Sequence, residues 1–141
     1  MTLGASAAAR LHQAEQLFRS GRAAQAEALL ADICAQAGAP ARAFELRAFI
    51  CGNRGDMAGC EHHLARAVAL PGCSPEAHFY LGRVRLQRGS AGEAIACFER
   101  AMREAGEFFE AHHEIGVAHS ALGKHALALA AFERAARLND Q

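Results

Sequence analysis

Residues that favour β-sheet are scarce in this chain. Its 141 residues include eight β-branched side chains (Thr2, Ile33, Ile50, Val68, Val84, Ile95, Ile115 and Val117), no tryptophan and one tyrosine, against 35 alanines. Alanine is the strongest helix former and β-branched residues favour strands, so this balance excludes a β-rich fold and predicts an all-α protein. A charge surplus is also missing: 15 Lys+Arg offset 15 Asp+Glu, for a net charge of +0. Nucleic-acid binders normally carry a basic excess, so no nucleic-acid partner is expected. No run approaches the roughly 20 apolar residues of a membrane span. Met1–Ala9 lacks both a positive n-region and an apolar h-region. No membrane partner is expected, and the location reads as cytoplasmic. The five cysteines (Cys34, Cys51, Cys60, Cys73 and Cys97) are odd in number and form no Cys-x-x-Cys pair. They read as small buried hydrophobes in a reducing compartment rather than a disulfide framework.

What the chain does have is a repeat. Gly21, Gly55, Gly89 and Gly123 are evenly spaced, without insertion or deletion. Ala14, Ala48, Gly82 and Gly116 keep the same step, as do Ala26, Cys60, Ala94 and Ala128. Leu30, Leu64, Phe98 and Phe132 form a large apolar column, and Ile33, Ala67, Ala101 and Ala135 a further one. Each glycine falls between two apolar-periodic stretches, which suits a turn that ends one helix in the left-handed region. The small columns let two helices approach closely, and the large column, four residues after a small one, fills the gap between hairpins. One such hairpin cannot cover its own apolar face, whereas a stack of them can.

These columns resemble the tetratricopeptide repeat (TPR), a helix–turn–helix unit of about 34 residues. The clearest copy is Pro75–Phe108, with Leu81-Gly82, Gly89, Glu93-Ala94-Ile95, Phe98 and Ala101. The copy from Phe109 repeats it as Ile115-Gly116, Gly123, Ala128, Phe132 and Ala135. The first two copies are weaker, with Gln13 and Arg47 where the pattern prefers an apolar residue, and only Phe44 keeps the usual early aromatic. The resemblance implies an all-α, right-handed α-solenoid of about eight helices in antiparallel hairpins. It places the repeats at 7–40, 41–74, 75–108 and 109–141, forming a single domain after a frayed 1–6. First helices are expected near Ala7–Ser20, Ala41–Arg54, Pro75–Arg88 and Phe109–Leu122. Second helices are expected near Ala23–Gln36, Met57–Leu70, Ala91–Glu104 and His125–Asn139. Ser74-Pro75-Glu76 is a strong helix start, and Ser90-Ala91-Gly92-Glu93 reads as a capping box.

Catalytic or metal chemistry has little support. Among eight histidines, Glu110, His113 and Glu114 come nearest to a helical ligand set. The pairs His62-His63 and His112-His113 point about 100° apart and cannot share one ion unaided. His78 and His112 share a repeat column. All eight read as packing or solvated histidines, with no metal and no cofactor expected. Cys73, in a loop before Ser74-Pro75, is the candidate reactive thiol, read as incidental rather than catalytic. Gly89-Ser90-Ala91-Gly92 is explained as a turn and cap rather than a phosphate loop. No convergent acid–base set is present, so the chain is not expected to be an enzyme.

The resemblance makes the outward face of the first helices the default ligand surface. The candidate groove residues there are Glu45, Phe49, Asn53, Phe79, Arg83, Leu86, Gln87, His113 and Val117. Phe49 and Phe79 fit either groove-floor packing or ligand contact. Only Arg83 and Asn53 suit a carboxylate clamp, and no asparagine ladder is present. The expected function is a non-catalytic protein–protein interaction scaffold that binds a peptide or helix in a concave groove. The alternative is an N-terminal accessory domain of a larger bacterial enzyme (a glycosyltransferase, sulfotransferase or oxygenase). An RNA-binding pentatricopeptide array is disfavoured by the neutral charge and by the length of the repeat step. The last helix carries more apolar residues than one buried stripe needs and lacks a polar cap. Leu127, Ala131 and Leu138 are therefore the expected self-association surface of a homodimer. The column assignment makes a direct test available: Ala94→Leu overpacks a close helix approach and lowers stability by about 1–3 kcal/mol. An unchanged thermal melt for that variant would contradict the register.

Overall fold

Alanine-rich, apolar-periodic stretches separated by glycine turns give eight helices among the described residues: α1 (Gly4–Arg19), α2 (Ala23–Cys34), α3 (Ala41–Asn53), α4 (Met57–Val68), α5 (Pro75–Gln87), α6 (Ala91–Ala105), α7 (Phe109–Ala121) and α8 (His125–Asn139). The computed structural model describes the backbone of residues 4–140 and the side chains of residues 7–140. The expected boundaries hold to within two residues, apart from the start of α1. That helix already includes Gly4, and residues 1–3 of the expected frayed end lie outside the described residues.

The chain divides into two compact units, residues 1–73 and 74–141. In the first, α1 pairs with α2 and α3 with α4, while α2 packs on α3. Its core joins Ala14, Leu30, Ile33, Phe44, Leu46 and Ile50, with Phe49 and Leu17 packed against it. In the second, α5 pairs with α6 and α7 with α8, while α6 packs on α7. Phe98, Ala94, Ile115 and Ala131 form a core there, with Phe79, Leu86 and Met102 against it.

The small and large columns meet inside each hairpin of the second unit. A Cβ on Gly82 would lie 2.7 Å from Phe98 Cε1, and one on Gly116 would lie 2.6 Å from Phe132 Cε1. The large residue therefore packs back on its own hairpin as well as toward the next, as the Phe98–Ile115 cluster shows. In the first two repeats the same columns hold alanine and leucine: Ala14, Leu30, Ala48 and Leu64 are all fully buried. Ring volume and the missing methyl exchange against each other down the chain.

One local expectation is corrected. Ser90 does sit at the N-cap of α6, but its side chain makes no cap hydrogen bond. Side-chain capping occurs instead at Asp56, which accepts from the Gly59 backbone N–H at 2.9 Å. The two cap backbones are similar (φ −99°, ψ 62° and φ −84°, ψ 81°), and the aspartate reaches one atom further than the serine. Gly59 is fixed by that cap, because a Cβ there would lie 2.4 Å from Asp56 Oδ2. Arg47, out of place in an apolar column, is answered by Glu27 of α2, with Nη2 2.8 Å from Oε1. Glutamate and arginine, each about a fifth exposed, thus replace an apolar contact between α2 and α3.

Positive-φ glycines occur at 21, 38, 55, 72, 89, 106 and 123, evenly spaced at half the repeat step. The turns between hairpins therefore keep the same interval as the turns within them. Gly106 shows the need most plainly, with φ 85 and ψ 170. That combination lies in a region essentially open only to glycine. The packing generates a paired test. Gly82→Ala, clashing with Phe98, lowers the urea midpoint by an amount equivalent to about 1–3 kcal/mol. Adding Phe98→Leu recreates the alanine–leucine pair of the first repeats and recovers part of that loss. A double variant as unstable as the sum of the two singles would show that the pair does not set hairpin spacing.

Candidate functional site

The residues that shape an open cleft of the second unit come mainly from the starts of its two first helices. Proline at the first position of α5 and an extended Phe108 before α7 begin these helices, and residues of both starts border one cleft. Pro75, Glu76, Phe79, Tyr80 and Arg83 of α5 form one wall. Ala105 ends α6 below it, and Phe108 and Glu110 form the other wall, enclosing about 470 Å³. That volume falls in the range of small-ligand pockets. The Phe79 ring lies 5.4 Å from Phe108 and 5.7 Å from Tyr80, both edge-to-face, and 5.6 Å from the buried Phe98. The guanidinium of Arg83 lies 5.9 Å from the Phe79 centroid. Phe79 is thus both floor and wall: its inner edge joins the core, and its outer face borders the cleft.

The groove candidates are distributed unevenly. In the second unit, Phe79 and Arg83 line the cleft, Leu86 packs half-buried against the core, and Gln87 is exposed. Val117 is 38% exposed on α7. His113 is held between rings, 6.0 Å from Phe109 and 5.5 Å from Phe132. In the first unit, Asn53 is exposed and Phe49 half-buried against the core. Glu45 departs from the expected open position: it is 2% exposed, with Oε1 3.7 Å from Arg42 Nη1. Arg42 also reaches Glu15 on α1 at 3.2 Å, so an ion-pair bridge occupies that part of the face. Of the self-association candidates, Leu127 is 51% exposed, Leu138 half-buried and Ala131 buried at 9%. Leu129, not singled out from the sequence, is 60% exposed. Helical geometry explains the exchange: residue 131 lies on the face turned to the core cluster, and residue 129 does not.

Glu76, Tyr80, Phe108 and Glu110 of the cleft were not expected from the sequence. One signal was present, because Glu76 and Glu110 occupy the same repeat position, each second in its helix.

Elsewhere, polar side chains pair with one another. Glu107, before α7, accepts from His112 Nε2 at 3.1 Å and from Arg134 of α8 through a close bidentate contact. Hydrogen bonding by Arg134, then by His112, holds the Glu107 carboxyl below its usual range. His78, in the same column as His112, has its own carboxylate, Glu104, at 3.8 Å. Cys34, Cys51, Cys60 and Cys97 are buried and Cys73 half-buried. Burial pushes the Cys34, Cys51 and Cys60 thiols up, away from the reactive thiolate.

Two half-buried or buried histidines give the chain an acid response. Burial is the main cause that lowers the pKa of His63 and of His78 from 6.5, with Arg47 adding to it at His63. Folded imidazoles that resist protonation bind fewer protons than unfolded ones, so stability is full above about pH 6.5 and falls as the pH drops below it. His63, whose Nδ1 is buried without a hydrogen-bond partner, is the clean test case. Urea midpoints measured from about pH 7.5 to about pH 5.5 should fall for the parent chain and fall less for His63→Gln. Equal slopes would remove His63 from the account.

A family model for the tetratricopeptide repeat matches residues 53–107 and 81–141. No curated protein matches the chain. Solved structures similar to it include MamA from Desulfovibrio magneticus RS-1, at 16% identity and a TM-score of 0.85, over 99% of this chain and 78% of that one. A MamA structure designated AMB-1 is 20% identical with a TM-score of 0.84, over 93% of this chain and 72% of the other. Another crystal structure of MamA is 21% identical with a TM-score of 0.82, again over 93% and 72%. At such identities the likeness is one of fold. No described helix is long and apolar enough to cross a membrane.

Proposed function

Because this chain belongs to the tetratricopeptide repeat family, we propose that it is a non-catalytic scaffold whose residues 7–141 act as one module that holds a protein partner, taken as an extended peptide or a helix. One observation carries the reading: the first helices α5 and α7 leave an aromatic cleft of about 470 Å³ open, with Arg83 at its edge. Aromatic and arginine side chains in partly desolvated recesses are the usual energetic anchors of protein interfaces. Val117 and Gln87 extend the accessible surface beyond it, and in the first unit Asn53 and the outer edge of Phe49 are what α3 offers.

The test compares two faces. Partners captured by the immobilised chain are identified by mass spectrometry, then recaptured with variants. Phe79→Ala and Arg83→Glu should each lose the partner while circular dichroism stays unchanged. Glu99→Lys and Arg137→Glu, exposed on the second helices α6 and α8, should retain it. Equal losses from both sets would sink the groove reading.

A second reading, self-association of the fourth repeat, is favoured by the exposure of Leu127 and Leu129 on α8 (51% and 60%). Leu129 and half-buried Phe132, three positions apart and so neighbours on one face of α8, present apolar surface that a second copy would cover by the same face across a two-fold axis. Light scattering over a concentration series should show mass rising toward a dimer, and Leu129→Glu should hold it at the monomer. A constant monomer mass for the parent chain would remove this reading.

A further inference from the structure

The cleft beside α5 is not uniformly apolar, and its charges are separated along the helix. Glu76 and Glu110 stand in the opening turns of α5 and α7, where acidic side chains complement the positive helix ends. Both are exposed, and among the described residues neither has an ion-pair or hydrogen-bond partner. Phe79, Tyr80 and Phe108 line the same cleft. Ring faces carry negative potential and attract cations, the more so where water is partly excluded. That the rings accept such a group is visible within the molecule, where the Arg83 guanidinium sits 5.9 Å from Phe79. An anion placed between the two glutamates would meet repulsion, and a purely apolar group would strip water from two carboxylates without replacing it. A lysine or arginine side chain satisfies rings and carboxylates together.

Arg83 lies seven residues further along α5 than Glu76, which at the helical rise is roughly 10 Å. An extended peptide covers that distance in about three residues. We infer that the cleft takes the lysine or arginine side chain of an extended partner peptide, and that an acidic residue about three positions away on the same peptide meets Arg83. The inference rests on the groove reading above and adds to it the charge pattern that the groove selects.

The experiment uses the full chain and four fluorescein-labelled nonapeptides on one alanine–leucine background: uncharged, one lysine, one aspartate, and lysine with aspartate three residues apart. A fifth probe carries the last pattern with its lysine acetylated. Fluorescence anisotropy should rank the lysine–aspartate peptide first, and acetylation should weaken it about tenfold, the scale of one cation among two carboxylates and a ring. The double variant Glu76→Gln, Glu110→Gln should erase the effect of acetylation while keeping the effect of aspartate. Arg83→Gln should do the reverse, and all variants should keep the parent circular dichroism spectrum. Acetylation without effect on the parent chain, or an effect that persists in the double variant, overturns the charge assignment and leaves the groove reading standing. If binding is equal across the charged and uncharged peptides but is lost in Phe79→Ala, the groove is apolar and unselective, and the inference falls. If no peptide binds at any concentration, the groove reading falls together with the pocket.

Discussion

The distance between the two helices of a hairpin is set by one pair of positions. Where α5 has no side chain at Gly82, the whole ring of Phe98 enters the space; Gly116 and Phe132 repeat the arrangement. In the first two repeats the same two columns hold alanine and leucine, and those four residues are fully buried. Close packing tolerates neither a void nor a clash, so the size of one partner determines the size of the other. The rest follows from that spacing. With the inner faces matched, each hairpin presents a fixed outer surface, and the first helices of the second unit leave an open recess.

Much of the fold was legible because it is written in periods. The eight helices of the described residues and their glycine turns follow from alanine content and a strict repeat step. The boundaries differ mainly within the single turn that frays or tightens at helix ends. What was not legible depends on reach and on facing. A capping box was expected at Ser90, yet side-chain capping occurs at Asp56, since two similar backbones separate a short side chain from a longer one. Glu45 was placed on the open face by its repeat column, but Arg42 supplies a cation that lets it be buried. Arg47 looked like a defect until its partner came from another helix. No single-column pattern records pairings of this kind.

The candidate site was half legible for the same reason. Phe79 and Arg83 stood out as an aromatic and a cation on the outward face of a first helix. Tyr80 and Phe108 did not, since one lies beside Phe79 on a different face and the other precedes its helix. Their convergence arises only when α5 and α7 are set side by side. The polar cluster of Glu107, His112 and Arg134 likewise joins a connecting segment to two helices. It gives His112, read from the sequence as a packing or solvated histidine, a carboxylate partner from the connecting segment.

The evenly recurring positive-φ glycines have a further consequence. One interval between them is a single helix with its turn, and removing it would exchange first and second helices of the hairpins for everything downstream. Removing or adding two intervals leaves every later side chain facing as before. The length of such a chain is therefore quantised: it can change by whole hairpins through duplication or loss at any turn, whereas a shift of a few residues disrupts all the packing that follows. A gene of this kind has a built-in unit of growth, and the number of recesses it offers can vary without any one of them being rebuilt.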